Sequence, residues 1–359
     1  MTDLDERISS VLRERAEGET DTHRLLRASR ARGRRRQLRR RAATGTALAL
    51  VGVLGFVGVT GTDLGGLTGR LPWTAATPGV TAPVPPRADG VPGVAQRPDL
   101  VGTDPGMLHL GVDPSQARYL RWAVHRSIQV ESIQFSVGGG QPVLVEVSRS
   151  AQAINQRPIE GVPIRQAVVR LTFDGAVRQF GGTAGGLVKA WQPVPGLYAR
   201  ASTLGGDQSA LARAVDAIRW DEARRCAAPL RLSTLPAGTT MSACSVDVSA
   251  YPGVLSVDFT LQREPSAAMW VRLLYGAQTG ENTTESNRAV GGRPAYLYPD
   301  GTKLELLGIP RAHLTAEFRS PLPGTDPPEG DPGFTVADAT SVLAGAQVAK
   351  DLTDPDTWE

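Results

Sequence analysis

Hydrophobic and polar residues alternate with a period of two in much of the chain after residue 107, as in strands that bury one face. Turn segments rich in glycine and proline, such as Gly138-Gly139-Gly140 and Pro252-Gly253, separate these stretches. The pattern predicts antiparallel strands at Ser127–Val137, Pro142–Ser148, Ala167–Phe173, Ser245–Val248, Val254–Leu261 and Met269–Tyr275.

Two later segments change to helical spacing. Leu211, Ala214 and Ile218 fall on one face of a helix over Asp207–Ile218, and a similar stripe predicts a helix over Val336–Val348. Each helix follows a set of predicted strands. The order predicts two units, each a mainly antiparallel sheet with a C-terminal helix.

Weak internal matches have the same order in both units. Val169–Phe173 is similar to Val271–Tyr275, the run Arg178–Gly182 is similar to Arg288–Gly292, and Val143–Ser148 lies where Val254–Phe259 lies in the second unit. We therefore expect an α+β fold with two similar units. Their expected bounds are residues 107–224 and 225–359.

A segment without any charge lies upstream. Ala42–Thr60 has 19 residues, which is about 28 Å as a helix and matches a hydrocarbon core. A cleaved signal peptide is the alternative, with Ala47–Val59 as its apolar core and a cleavage site near residues 74–76. Its charged N-terminal region of more than 40 residues is long for a signal peptide. We therefore expect an uncleaved transmembrane helix at 42–60.

Arginine is concentrated before this segment. Residues 1–41 carry 13 arginines and seven acidic residues, hence +6, whereas the whole chain carries only +3. Nucleic-acid binding is one interpretation of such a cluster. Its position beside the apolar segment favours a topology signal that keeps residues 1–41 in the cytosol and contacts anionic lipid, so no nucleic-acid partner is expected. The arginines of this signal are Arg34, Arg35, Arg36, Arg39, Arg40 and Arg41.

The cytosolic tail begins with a short amphipathic pattern in residues 2–17. Leu4, Ile8, Val11 and Leu12 share one helical face, which is typical of a docking helix for a cytosolic protein; a solvated or membrane-lying tail is the alternative. On the other side of the span, residues 61–106 contain eight prolines. They predict an extended stalk.

Cys226 and Cys244 are the only cysteines, and the expected topology places both outside the cell. A disulfide is the usual state there. A metal or redox site is the alternative, but the spacing is not Cys-x-x-Cys and the sequence supplies no nearby third ligand. We therefore expect a disulfide between them.

No catalytic motif stands out. The external region contains His109, His125 and His313 without metal-ligand spacing, and no nucleophile elbow, zinc-protease motif or phosphate loop is present. We therefore expect no enzyme activity and no cofactor.

The layout of short cytosolic helix, arginine run, single span, proline-rich stalk and exported α+β region resembles uncharacterised actinobacterial single-pass membrane proteins and membrane-bound anti-sigma factors. The zinc anti-sigma motif is missing, because His23 stands alone and no cysteine precedes Cys226. The resemblance implies a cell-membrane protein with a cytosolic N-terminus. Our first hypothesis is a non-enzymatic exported binding or sensing protein; the alternative is an anti-sigma-like transcription regulator that contacts a sigma factor through residues 1–41.

Overall fold

A computed structural model describes residues 82–159, 171–181, 185–226, 229–263, 267–277, 284–321 and 333–358. The predicted docking helix, arginine signal and transmembrane segment lie outside these residues. Within the described ranges, no helix combines the length and apolar character that crossing a membrane requires.

The described residues form many strands and few helices. The strands are β1 (Met107–Leu108), β2 (Gly111–Val112), β3 (Ala117–His125), β4 (Val130–Val137), β5 (Val143–Ser148), β6 (Val177–Phe180), β7 (Gly186–Trp191), β8 (Tyr198–Leu204), β9 (Ile218–Arg219), β10 (Arg224–Arg225), β11 (Leu230–Leu232), β12 (Thr239–Asp247), β13 (Val254–Arg263), β14 (Ala267–Gly276), β15 (Arg288–Val290), β16 (Arg293–Leu297), β17 (Lys303–Leu306), β18 (Ala312–Pro321) and β19 (Ala346–Val348). The helices are α1 (Ala151–Gln156), α2 (Gln208–Asp216) and α3 (Val336–Ala344), with 3-10 turns at Pro98–Leu100 and Pro355–Thr357.

The expected α+β fold with two separate sheets is wrong. Thirteen strands form one antiparallel sheet in the order β15-β16-β17-β18-β14-β13-β12-β3-β4-β5-β8-β7-β6. The protein is mostly β because the helices are short and only flank this sheet. The sequence pattern did not show that β3 and β12, the first strands that the two halves contribute to the large sheet, pair with each other.

The strand order is the same on both sides of the β3–β12 pair. The first half runs outward as β3, β4, β5, β8, β7 and β6, and the second as β12, β13, β14, β18, β17 and β16, with β15 added at its edge. The helix that follows the last strand is α2 in the first half and α3 in the second. The two halves are thus related by an approximate two-fold axis through the central pair.

The internal matches found in the sequence align strands that are not equivalent under this two-fold relation. They equate β5 with a segment of β13, but β5 is the third strand of its half and β13 is the second. Short valine-rich stretches of period two resemble one another wherever they lie in a sheet, so they misalign easily. In the predicted strand Ala167–Phe173, the described residues 171–173 form no strand. β3 was missed because a register irregularity between Tyr119 and Arg121 breaks its alternation.

Both long helices pack onto the same buried cluster. The Asp207 carboxylate caps α2 by accepting from the Ala210 N–H at 3.0 Å. Thr335 and Asp338 form a capping box at the start of α3. Leu211 and Leu343 lie in the core cluster that covers one face of the sheet. The helices end before the predicted Ile218 and Val348, because the chain continues there as β9 and β19.

Residues 82–106 belong to the folded region and not to a stalk. Val94 and Val101 are fully buried in the main core. The buried Glu131 carboxylate on β4 holds residues 102–109 in place. It accepts hydrogen bonds from the N–H groups of Gly102 at 2.9 Å and His109 at 2.6 Å. It also contacts His109 Nδ1 at 2.7 Å. The stalk prediction is wrong for residues 82–106 because apolar residues such as Val94 and Val101 lie between the prolines and are buried in the core.

The predicted disulfide between Cys226 and Cys244 is present. Both cysteines are completely buried. Cys244 lies on β12 opposite Val124 of β3, and the indole N–H of Trp122 donates to the carbonyl of Cys226 at 2.9 Å. The bond therefore joins the linker between the halves to the centre of the sheet.

The disulfide closes a loop with a sequence separation of 18 residues. We predict that the double variant Cys226→Ala, Cys244→Ala loses about 3 kcal/mol of unfolding free energy in urea titration. The single variant Cys244→Ala should lose nearly the same amount, because either change removes the bond. If the losses of the single variants Cys226→Ala and Cys244→Ala add up to the loss of the double variant, the account is contradicted.

Removing the Glu131 carboxylate leaves buried N–H donors without an acceptor. We predict that Glu131→Ala lowers the unfolding free energy by about 3 kcal/mol, measured by urea titration. Asp89→Ala, an exposed acidic position in the same N-terminal region, should change it by less than about 0.5 kcal/mol. A loss at Glu131 no larger than at Asp89 would show that the carboxylate does not hold this region.

Candidate functional site

A row of side chains crosses the sheet on the face away from the core, which we call the polar face. Residues directly opposite each other in antiparallel strands point to the same side. The strand registers give the row Tyr296, Glu305, Thr315, Arg272, Asp258, Ser245, Ala123, Ser132, Glu146, Arg200 and Ala190. Its centre is the pair Ser245 and Ala123.

This row fixes which positions of the two halves are equivalent. Counting outward from its centre, Glu146 and Arg200 of the first half match Arg272 and Thr315 of the second. The next row equates Leu144, Ser202 and Val188 with Trp270, Glu317 and Lys303. Ala190 matches Glu305, and Tyr198 matches His313. The backbone positions agree, but the side chains differ in chemistry.

In the first half the chain covers its own polar face. Ile154, Ile159 and Leu171, from the connection between β5 and β6, are buried against Phe180 and Val188. The connection thus supplies a second, smaller apolar cluster on this side of the sheet. Apolar positions such as Val188 require such a cover.

Charged groups hold this cover in place. Arg200 is buried and donates to the carbonyls of Ile154 at 3.2 Å and Arg157 at 3.0 Å. The Glu146 carboxylate pairs with Arg200 and accepts from Arg157 Nε at 2.6 Å. One fully buried acid therefore binds an arginine of the sheet and an arginine of the cover.

In the second half the strands equivalent to β5 and β6 are β14 and β16, and the chain between them consists of a polar segment followed by the edge strand β15. Residues 277–287 contain one apolar residue, Ala277, among polar and acidic ones, so their sequence offers nothing to bury on the sheet. The described residues leave a groove of about 540 Å³ on the polar face. The residues that line the groove are Trp270, Arg272, Leu274, Tyr298, Lys303, Glu305, His313, Thr315 and Glu317.

Glu305 organises the floor of the groove. Its carboxylate accepts from the Tyr298 hydroxyl at 2.8 Å and contacts His313 Nδ1 at 2.7 Å. The glutamate side chain is 4% exposed and the histidine side chain 39% exposed, so the acid lies beneath the ring that faces solvent. With Nδ1 on the carboxylate, Nε2 is the ring atom left for a ligand.

Tyr298 is held as a neutral donor. Burial, together with its hydrogen bond to the Glu305 carboxylate, raises the pKa of Tyr298 to about 12. The Lys303 ammonium lies 4.7 Å from the centre of the Tyr298 ring. Glu305 thus positions an aromatic ring, an imidazole and, through the ring, a cation.

The remaining groups line the groove on neighbouring strands. The Arg272 Nε–H donates to the Asp258 carboxylate, which leaves the terminal nitrogens of its guanidinium for other partners. Trp270 lies opposite Glu317, and Glu317 lies opposite Lys303. The groove thus combines two aromatic side chains, Trp270 and Tyr298, with both hydrogen-bond donors and acceptors.

The sequence-predicted site residues lie elsewhere. Leu4, Ile8, Val11, Leu12 and the topology arginines fall outside the described residues, and the cysteines lie in the core. Two of the three histidines taken as isolated are paired with glutamates, His109 with Glu131 and His313 with Glu305. The signal in the sequence that could have indicated a polar face is the alternation along β18, where His313, Thr315 and Glu317 alternate with buried apolar residues.

The described residues include no cluster of three or more potential metal ligands. Comparison of the chain with protein-family models, curated protein sequences and solved structures finds no match. The case for function therefore depends on the geometry of the groove.

The polar face of the first half contains a histidine that resists protonation. Burial, with further contributions from Arg157 and Arg121, lowers the pKa of His125 to about 4. The unfolded chain, with an ordinary imidazole pKa of about 6.5, binds a proton at a higher pH than the folded chain does. Protonation of His125 therefore favours the unfolded chain. The unfolding free energy is unaffected by the titration of His125 above about pH 6.5 and decreases as the pH falls from 6.5 toward 4.

We predict that His125→Gln reduces the loss of unfolding free energy between pH 7 and about pH 4 by on the order of 2 kcal/mol. Urea titrations of both proteins at the two pH values measure it. An equal loss in the variant and in the unchanged protein would contradict the low pKa of His125.

Proposed function

We propose that the chain is a non-enzymatic binding protein, and that a small polar ligand occupies the groove of the second half. The observation that supports this most is the contrast at equivalent positions. Where the first half has Val188 and Ala190 beneath a cover, the second has Lys303 and Glu305 in a groove. Polar groups arranged around aromatic side chains are typical of ligand sites.

The groove is better suited to binding than to catalysis. A histidine paired with a carboxylate is two thirds of a hydrolytic triad, but the residues lining the groove include neither serine nor cysteine. Among the described residues that line the groove, Thr315 carries the only aliphatic hydroxyl, and it lies across from Glu305 on the neighbouring strand. These residues support recognition through hydrogen bonds and aromatic contact.

The sequence also suggests the side of the membrane on which this binding takes place. In our proposal, residues 42–60 anchor the chain in the cell membrane and the arginines before them keep the N-terminus in the cytosol. The groove then faces the outside of the cell. A sensing role requires a second protein, because ligand binding must favour one of two states that the cytosolic tail can report.

Lysine chemistry tests whether the groove binds a ligand. The chain has only three lysines, Lys189, Lys303 and Lys350. Lys189 is a matched control, because it lies 5.7 Å from the Trp191 ring centre as Lys303 lies over Tyr298. We predict that a groove ligand slows acetylation of Lys303 and leaves Lys189 and Lys350 unchanged.

The full chain is acetylated with an amine-reactive ester, alone and with chitotriose, maltotriose, trialanine or inorganic phosphate, and peptides are quantified by mass spectrometry. At least one probe should protect Lys303 selectively. Protection by none of them, or equal protection of Lys189, would overturn the proposal. Lys303→Val, which places the residue of Val188 at the equivalent position, should weaken binding of the protecting probe, and Lys189→Val should not.

A further inference from the structure

The charges of the groove balance, which restricts the chemistry of its ligand. Among the residues that line the groove, Glu305 and Glu317 offset Arg272 and Lys303. Asp258 is not one of them, but its ion pair with Arg272 adds one negative charge nearby. A phosphate or nucleotide site has an excess of positive charge, and a site for a cation has an excess of negative charge. The groove has no excess of positive charge, and the described residues form no cluster of acids that could hold a metal ion. It therefore favours a ligand without net charge.

The hydrogen-bonding groups around Trp270 are of both kinds. Glu317, directly opposite on β18, supplies an acceptor, and Lys303, opposite Glu317 on β17, supplies a donor. Arg272, two residues along β14, has terminal N–H groups beyond its bond to Asp258. The Thr315 hydroxyl both donates and accepts.

Trp270 itself offers a flat apolar surface among these groups. It is partly exposed, and its cross-strand neighbours Thr260 and Glu317 are polar. The equivalent position in the first half is Leu144, which is buried. A large aromatic residue at a position that a leucine fills in the other half provides area for a ligand to stack on.

A saccharide has the complementary chemistry. Each sugar ring has an apolar face of C–H groups that stacks on an aromatic ring, and a rim of hydroxyls that donate and accept hydrogen bonds. We propose that the groove binds a neutral oligosaccharide, with one ring on Trp270 and its hydroxyls bonded to Glu317 and Arg272. This inference rests on the proposed binding function and adds the class of ligand.

The full chain is titrated with chitotriose and with maltotriose by calorimetry, for the unchanged protein and for Trp270→Leu and Trp270→Phe. We expect saturable binding of at least one of these sugars. Trp270→Leu should weaken it by about tenfold or more, and Trp270→Phe by less than Trp270→Leu because a smaller aromatic face remains. Trp191→Leu, the same change at a tryptophan outside the groove, should leave the affinity unchanged, and thermal unfolding checks that each variant is folded.

The outcomes separate the two proposals. Selective protection of Lys303 by trialanine or phosphate, with no binding of either sugar, would overturn the saccharide and keep the binding function. If Lys303 resists acetylation without any probe while Lys189 reacts, another part of the chain occupies the groove, and both proposals fall. Sugar binding that survives Trp270→Leu unchanged would place the sugar elsewhere and overturn the inference.

Discussion

The pairing of β3 with β12 is the interaction on which the rest of the structure depends. Five consecutive residue pairs, from His125 with Ala243 to Arg121 with Asp247, join the two halves into one sheet. A shift of this register by one residue would turn the side chains of one half to the opposite face relative to the other. The Cys226–Cys244 disulfide and the hydrogen bond from Trp122 to Cys226 lie against this pair. They hold the register where the two halves meet.

Because that register is fixed, the same sheet positions in the two halves can be compared one by one. In the first half, the connection between β5 and β6 packs on the polar face, and Arg200 and Glu146 hold it there. In the second half Thr315 and Arg272 replace that pair, and the polar segment 277–287 replaces the apolar connection. The energetic consequence is that apolar side chains such as Val188 need a cover, whereas Lys303 and Glu317 are satisfied by water or by a ligand.

The sequence predicted the local features that depend on neighbouring residues. Period-two alternation located strands such as β5 and β13, and the helical spacing of apolar residues located α2 and α3. It did not predict the single sheet, because nothing local states that β3 pairs with β12, more than 100 residues away. For the same reason it missed the groove. Glu305 and His313 meet only after β17 and β18 pair, and Arg272 joins them only through the pairing of β14 with β18.

The most direct test of this account is a crystal structure of the full chain grown with the sugar that it binds. We predict density for a sugar ring against the indole of Trp270, with hydroxyls within hydrogen-bond distance of the Glu317 carboxylate and the Arg272 guanidinium. His313 and Tyr298 should keep their contacts to Glu305. Density for the chain's own residues in the groove, or a sugar bound away from Trp270, would contradict the account.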